Sequence, residues 1–196
     1  MQWHLANILT AGRLVMVPVF FASFVAGFYP VSFIAFTAAS FTDLIDGAIA
    51  RFLKQHSQLG AFLDPLADKL LMLTAFSCLV YKGVLPGWFL TLVILRDVMI
   101  MGGIGALKIL KFEVKYEPFR SSKIATLLQI ILGILALGFM WSPAFQFGVY
   151  PLVDFVEGTM YVTASLIVIT ALQYIQKGIT ILQTRYAVSQ DRNKTI

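Results

Sequence analysis

Apolar residues fall in six runs, about 8–28, 31–52, 60–81, 87–108, 123–141 and 153–176, separated by short polar breaks. A helix needs about 20 predominantly apolar residues to cross a bilayer, and short breaks make successive helices antiparallel neighbours. The pattern predicts an all-α integral membrane protein, a six-transmembrane-helix bundle. Before the first run, residues 1–10 carry Trp3 and His4 among apolar neighbours, which suits a short N-terminal interfacial segment; His4 reads as a surface histidine. The run after Arg13 has no small-residue cleavage site and leads into further apolar segments, so the first helix is expected to stay rather than leave as a signal peptide. The expected organisation is one transmembrane domain over 1–182, followed by a polar tail over 183–196 that frays from a helix end.

Composition supports this reading: with 59% hydrophobic and 13% charged residues, an ordinary soluble globule is excluded. Basic residues cluster at one set of ends, Arg13, Arg51, Lys54, Lys108, Lys111, Lys115, Arg120, Lys123, Lys177, Arg185, Arg192 and Lys194, whereas the opposite loops hold only Lys82. The positive-inside rule then makes both termini and the loops 52–59 and 109–122 cytoplasmic. The net charge of +5 is a membrane-proximal collar facing anionic headgroups. It is no nucleic-acid signal, because no basic patch interleaved with aromatics occurs in a soluble segment, so the expected partner is the bilayer. The lone Cys78 sits in an apolar run and reads as a small buried hydrophobe.

One stretch breaks the apolar pattern. Asp43, Asp46, Asp64 and Asp68 are four of the ten acidic residues, and they lie inside segments read as membrane helix, where a carboxylate is costly and functional by default. Asp43 and Asp46 are three apart and Asp64 and Asp68 four apart, so each pair occupies one helical face. A hairpin turning near residue 55 sets Asp46 and Asp64 nine residues from the turn on either side, about 13 Å along the helices from the cytoplasmic side. Four carboxylates packed there cannot all stay ionised unaided, and divalent cations resolve the repulsion. Oxygen-only ligands favour Mg²⁺ or Mn²⁺ over Zn²⁺, and two such ions bridged by shared carboxylates make a site for a diphosphate. Gly47 and Ala50 clear space beside the first pair, Arg51 can meet a phosphate, and Gly60 opens the entrance of the third helix. Pro65 frees the carbonyl one turn earlier. The bland assignment, buried ion pairs with Arg51, Lys69 and Arg96, leaves more carboxylates than cations.

These eight positions spell D-x-x-D-G-x-x-A-R-x(8)-G-x-x-x-D-x-x-x-D without a gap, and the pattern resembles the signature of the CDP-alcohol phosphotransferases. The likeness extends to length, six spans and the opening Asn7-x-Leu9-Thr10-x-x-Arg13, which is similar to the start of phosphatidylglycerophosphate synthases. The resemblance implies that Asp43, Asp46 and Asp64 hold the metals, with Asp68 touching a metal and serving as catalytic general base. It implies transfer of a phosphatidyl group from CDP-diacylglycerol to an acceptor hydroxyl with release of CMP, in phospholipid biosynthesis. A homodimer in a bacterial or organellar inner membrane, with its site on the cytoplasmic side, is also implied.

The acceptor is less legible. Candidate acceptor-binding residues are Arg13, Arg96, Arg120 and Lys123, with Ser121 or Ser122 capping the fifth helix. Arg96-Asp97 reads equally as an internal ion pair that orients helices. Phosphatidylglycerophosphate synthases are expected to carry Arg-Glu there, a second Arg where Ile104 stands, and Gly-Lys-x-Lys-Thr before the fifth helix. Arg96-Asp97-Val98 and Pro118-Phe119-x-Ser-x-Lys123-x-x-Thr126-x-x-Gln129 look more like cardiolipin synthases of this type. The missing Arg agrees, since a glycerol-3-phosphate dianion wants bidentate Arg and phosphatidylglycerol brings a singly charged diester. Phosphatidylglycerol is therefore the leading acceptor and glycerol-3-phosphate the alternative. Gly102, Gly103 and Gly105 permit close helix contact within the bundle or across a dimer. Two rival classes remain: a prenyltransferase, which needs another aspartate spacing, and a cation transporter, which leaves the Gly47, Ala50 and Gly60 spacing unexplained.

Overall fold

The computed structural model describes the backbone of residues 5–53, 58–109, 119–142, 144, 146–147 and 150–194, with side chains over 12–42, 69–103, 105, 119–142, 144, 151–181 and 183. Among these residues there are six helices: α1 Leu5–Val25, α2 Tyr29–Leu53, α3 Gln58–Tyr81, α4 Gly87–Ile109, α5 Arg120–Trp141 and α6 Leu152–Lys194. Every apolar run has become one helix. The packing order is not the chain order: α1 lies on α2, α2 on α5, α5 on α6, α6 on α4, α4 on α3, and α3 returns to α1. That ring is closed, and α5 also touches α3 across it.

Two helix ends show how short breaks suffice. At Gly27 (φ 79°) and Gly83 (φ 73°) the chain enters the left-handed region that glycine adopts without strain. Phe28 N–H then bonds Ser23 O at 2.9 Å and Gly27 N–H bonds Phe24 O at 3.1 Å; Val84 to Leu79 (2.9 Å) and Gly83 to Val80 (3.0 Å) repeat the arrangement. These are Schellman closures, and they end α1 and α3 at the same side of the bundle.

Phe20, Phe24, Phe36, Phe76 and Phe89 fill the centre, with Phe20 and Phe36 centroids 6.1 Å apart across α1 and α2. Gly133 lets α5 approach Phe36 so closely that a Cβ there would lie 2.6 Å from the ring. Apolar side chains also cover the outside, Val25, Phe41, Leu95, Val98 and Tyr161 among them. A surface of that kind suits lipid rather than water. Two helices, Arg120–Trp141 (mean hydropathy 2.2) and Leu152–Ile181 (1.6), are long and apolar enough, among the described residues, to cross a membrane; Gly12–Val25 and Lys69–Tyr81 are shorter apolar stretches.

Several expectations change. Residues 5–10 belong to α1 without a break, so from Leu5 onward the interfacial segment is no separate element. The polar stretch after 182 continues α6 as helix to Lys194. Between α5 and α6, a two-residue hairpin, β1 Gln146–Phe147 with β2 Tyr150–Pro151, replaces a plain loop. Neither Ser121 nor Ser122 caps α5: the N-cap is Phe119, with no side-chain cap bond. A Cβ added at Gly102, Gly103 or Gly105 would meet nothing within 4 Å, so the described bundle does not use these glycines for close contact.

Candidate active site

Asp43, Asp46, Gly47, Ala50 and Arg51 stand on α2, and Gly60, Asp64 and Asp68 on α3; their side chains lie outside the described residues. The helix bounds still fix their levels. Asp43 is ten residues before the end of α2 and Asp68 ten after the start of α3, while Asp46 and Asp64 are seven and six residues from those ends. At 1.5 Å per residue the pairs sit about 15 Å and 10 Å from the α2–α3 connection. The aspartate positions therefore form two levels near one end of the bundle.

Described contacts carry that level to the other helices. Ser23 and Ser32 share a 2.9 Å hydroxyl bond and Phe20 packs on Phe36, fixing an antiparallel register between α1 and α2. Seven residues further on from Phe20 and Phe36, Arg13 comes level with position 43. Arg13 is 3% exposed, a buried cation on the helix that packs against both aspartate helices. In the same way the Phe36–Gly133 contact sets the register of α2 and α5. Seven residues on, Thr126 is level with position 43; eleven on, Ser122 is level with Gly47. Ser40 and Gln129, four residues from that contact, are 3% and 2% exposed, and Ser40 Oγ and Gln129 Nε2 have no hydrogen-bond partner among the described residues.

At this level a chain of polar contacts ties three helices. Lys69, the residue after Asp68, donates from Nζ to Asp97 Oδ2 at 2.5 Å. Arg96 Nη1 donates to Asp97 Oδ1 at 2.7 Å, and its Nη2 reaches Ser122 Oγ at 2.6 Å and Ser122 O at 3.2 Å. Burial makes these contacts matter: Arg96 is 4% exposed, against 18% for Asp97 and 33% for Lys69. Removing one member of such a set leaves another charge desolvated and uncompensated. Ser121 Oγ donates to Gln173 Oε1 at 2.5 Å, and Phe119 packs edge-on to Tyr174 at 5.0 Å with Lys177 5.0 Å above its ring, so the start of α5 is also tied to α6. Arg120 and Lys123 remain exposed on the first turn of α5, where the helix dipole favours anions.

The structure thus brings Lys69, Arg96, Asp97 and Ser122 into contact, and sets Arg13 at the aspartate level farther from the α2–α3 connection and Ser122 with Lys123 at the nearer one. Sequence reasoning set Lys69 aside and did not connect Asp97 to it; at 28 positions apart, no local spacing signals the pair. Cys78 is buried, as its apolar surroundings suggest.

Residues 3–169 match the sequence model of the CDP-alcohol phosphatidyltransferases. A probable cardiolipin synthase (CMP-forming) of Drosophila melanogaster is 32% identical over 185 residues, covering 86% of this chain and 56% of that protein. A probable phosphatidylglycerophosphate synthase of Mycobacterium tuberculosis is 43% identical over 100 residues, 48% of each chain. The CDP-diacylglycerol--glycerol-3-phosphate 3-phosphatidyltransferase of Bacillus subtilis is 34% identical over 116 residues, 52% of this chain and 60% of that protein. The chain spans about half the length of the curated relatives it matches. With most of its length inside the family match, and the aspartate signature on two adjoining helices, the chain belongs to the CDP-alcohol phosphatidyltransferase family.

Proposed function

We propose that this protein transfers a phosphatidyl group from CDP-diacylglycerol to a hydroxyl of a glycerol-bearing acceptor, releasing CMP, with phosphatidylglycerol as the leading acceptor. The observation that carries the reading is that buried Arg13, the α3–α4–α5 contact chain and the basic first turn of α5 lie at the same end of the bundle as the four aspartate positions, within their two levels. In this reading six helices span the membrane, both termini and the site face the cytoplasm, and two copies form the working protein.

The donor set is four carboxylates at two levels with no nitrogen or sulfur ligand, which fits hard divalent cations. Asp43, Asp46, Asp64 and Asp68 would hold two Mg²⁺ or Mn²⁺ ions, which supply charge neutralisation for the diphosphate and the departing CMP. Asp68 takes the proton of the acceptor hydroxyl. The oxygen forms a bond to the lipid-side phosphorus while the bond from that phosphorus to the CMP oxygen breaks. Gly47, Ala50 and Gly60 let the nucleotide approach the backbone, and Arg51 meets a phosphate. Lys123 and Arg120, with Arg13, meet the acceptor's phosphate.

Glycerol-3-phosphate is the second reading, because the Mycobacterium tuberculosis and Bacillus subtilis relatives bear names of that activity. The base assignment is tested by Asp68→Asn in detergent-purified protein. CMP release should be lost while CDP-diacylglycerol still binds; near-normal turnover would refute the role of Asp68.

A further inference from the structure

Asp97 is the hub of the contact chain: one oxygen takes Lys69 from α3, the other takes its neighbour Arg96, and Arg96 reaches on to Ser122 of α5. Lys69 directly follows Asp68, and Ser122 directly precedes Lys123. We propose that Asp97 is a positioning residue: with Arg96 as a strut, it fixes the distance between the turn of α3 that carries Asp68 and the first turn of α5 that carries Lys123. The inference rests on the proposed function for its catalytic consequence, though not for its geometric one.

The alternative use of Arg96, direct contact with an acceptor phosphate, competes with its existing bonds. Two of its nitrogens are already engaged, and the group is 4% exposed. Its planar fork suits a strut, because one arm meets a carboxylate while the other holds a carbonyl and a hydroxyl. Lys69 alone could not do this, since an ammonium is a point charge on a flexible stem. Without the Asp97 charge, Lys69 and Arg96 lose the carboxylate they share, α3 and α4 are pushed apart, and the first turn of α5, held by Arg96 through Ser122, shifts with α4 relative to α3. Misplacing a base relative to its acceptor by about 1 Å is enough to cost about a hundredfold in rate.

The test uses Asp97→Asn and the conservative Asp97→Glu in the full chain. Spin labels at the lipid-facing positions Leu73 on α3 (42% exposed) and Leu127 on α5 (45% exposed), in a Cys78→Ala background, report the spacing of the two helices. Asp97→Asn should shift or broaden the distance distribution and lower turnover by about tenfold or more. Binding of CDP-diacylglycerol should stay within about twofold, and Asp97→Glu should restore both readouts, a split that general loosening of the fold would not give. An unchanged distribution in Asp97→Asn overturns the proposal whatever the turnover. Donor binding that falls in step with turnover also overturns it. If the wild-type protein releases no CMP with any acceptor, the proposed function fails, and the distance measurement still decides whether Asp97 sets the helix spacing.

Discussion

Gly133→Ala tests the register on which the site's levels depend. The new methyl would lie 2.6 and 2.7 Å from Cζ and Cε1 of Phe36, whereas carbon atoms rest at about 3.5–4.0 Å. Phe36 cannot swing away freely: it is fully buried and packs on Phe20, which in turn packs on Phe24 with centroids 5.8 Å apart. Overpacking of this kind costs about 1–3 kcal/mol. The opposing gain, alanine over glycine inside a helix, is worth about 1 kcal/mol. A contact under 3.0 Å against a fully buried ring belongs in the upper part of the overpacking range, about 2–3 kcal/mol, so steric cost wins, leaving a net loss of about 1–2 kcal/mol, or a melting temperature lower by about 2–8 °C for a chain of this size. Cys78, the one cysteine in the sequence, is 7% exposed, so a fluorogenic maleimide that reacts as the protein unfolds reports melting in detergent. Adding Phe36→Leu should recover part of the loss, giving a double variant more stable than the sum of the single changes. A Gly133→Ala protein that melts at or above the wild-type temperature would refute the close α2–α5 approach, and with it the levels of Ser122 and Thr126.

Further outcomes follow from the same contacts. Ser121→Ala, which removes the bond to Gln173, should cost about 0.5–1.5 kcal/mol in the same melting assay. Chelation of divalent cations should abolish CMP release, and added Mg²⁺ or Mn²⁺ should restore it. Activity that survives exhaustive chelation would remove the metal role of the four aspartates.

The helices were legible because each run of about twenty apolar residues became one helix. Helix length was legible only where the sequence stays apolar. The chain's hydropathy falls after Ile181, yet α6 continues to Lys194, since a helix satisfies its own backbone in water as in lipid. Ser121 and Ser122 carried a capping signal, but tertiary partners took their hydroxyls: Gln173 for one, Arg96 for the other. Local spacing cannot announce such partners. Arg96-Asp97 was legible as a charged pair, whereas Lys69 was not, because the ring order places α3 beside α4 for reasons spread over the whole bundle. The aspartate signature stood out for the opposite reason: four acids at helical spacing in apolar segments need no tertiary information to be noticed.

The central claim is phosphatidyl transfer from CDP-diacylglycerol. Its most direct measurement incubates the purified full chain with CDP-diacylglycerol, phosphatidylglycerol and Mn²⁺ or Mg²⁺, and follows CMP and the lipid product together. Equal amounts of CMP and cardiolipin, formed only with the metal, are predicted. No metal-dependent CMP release with phosphatidylglycerol, glycerol-3-phosphate or any other hydroxyl acceptor would contradict the account.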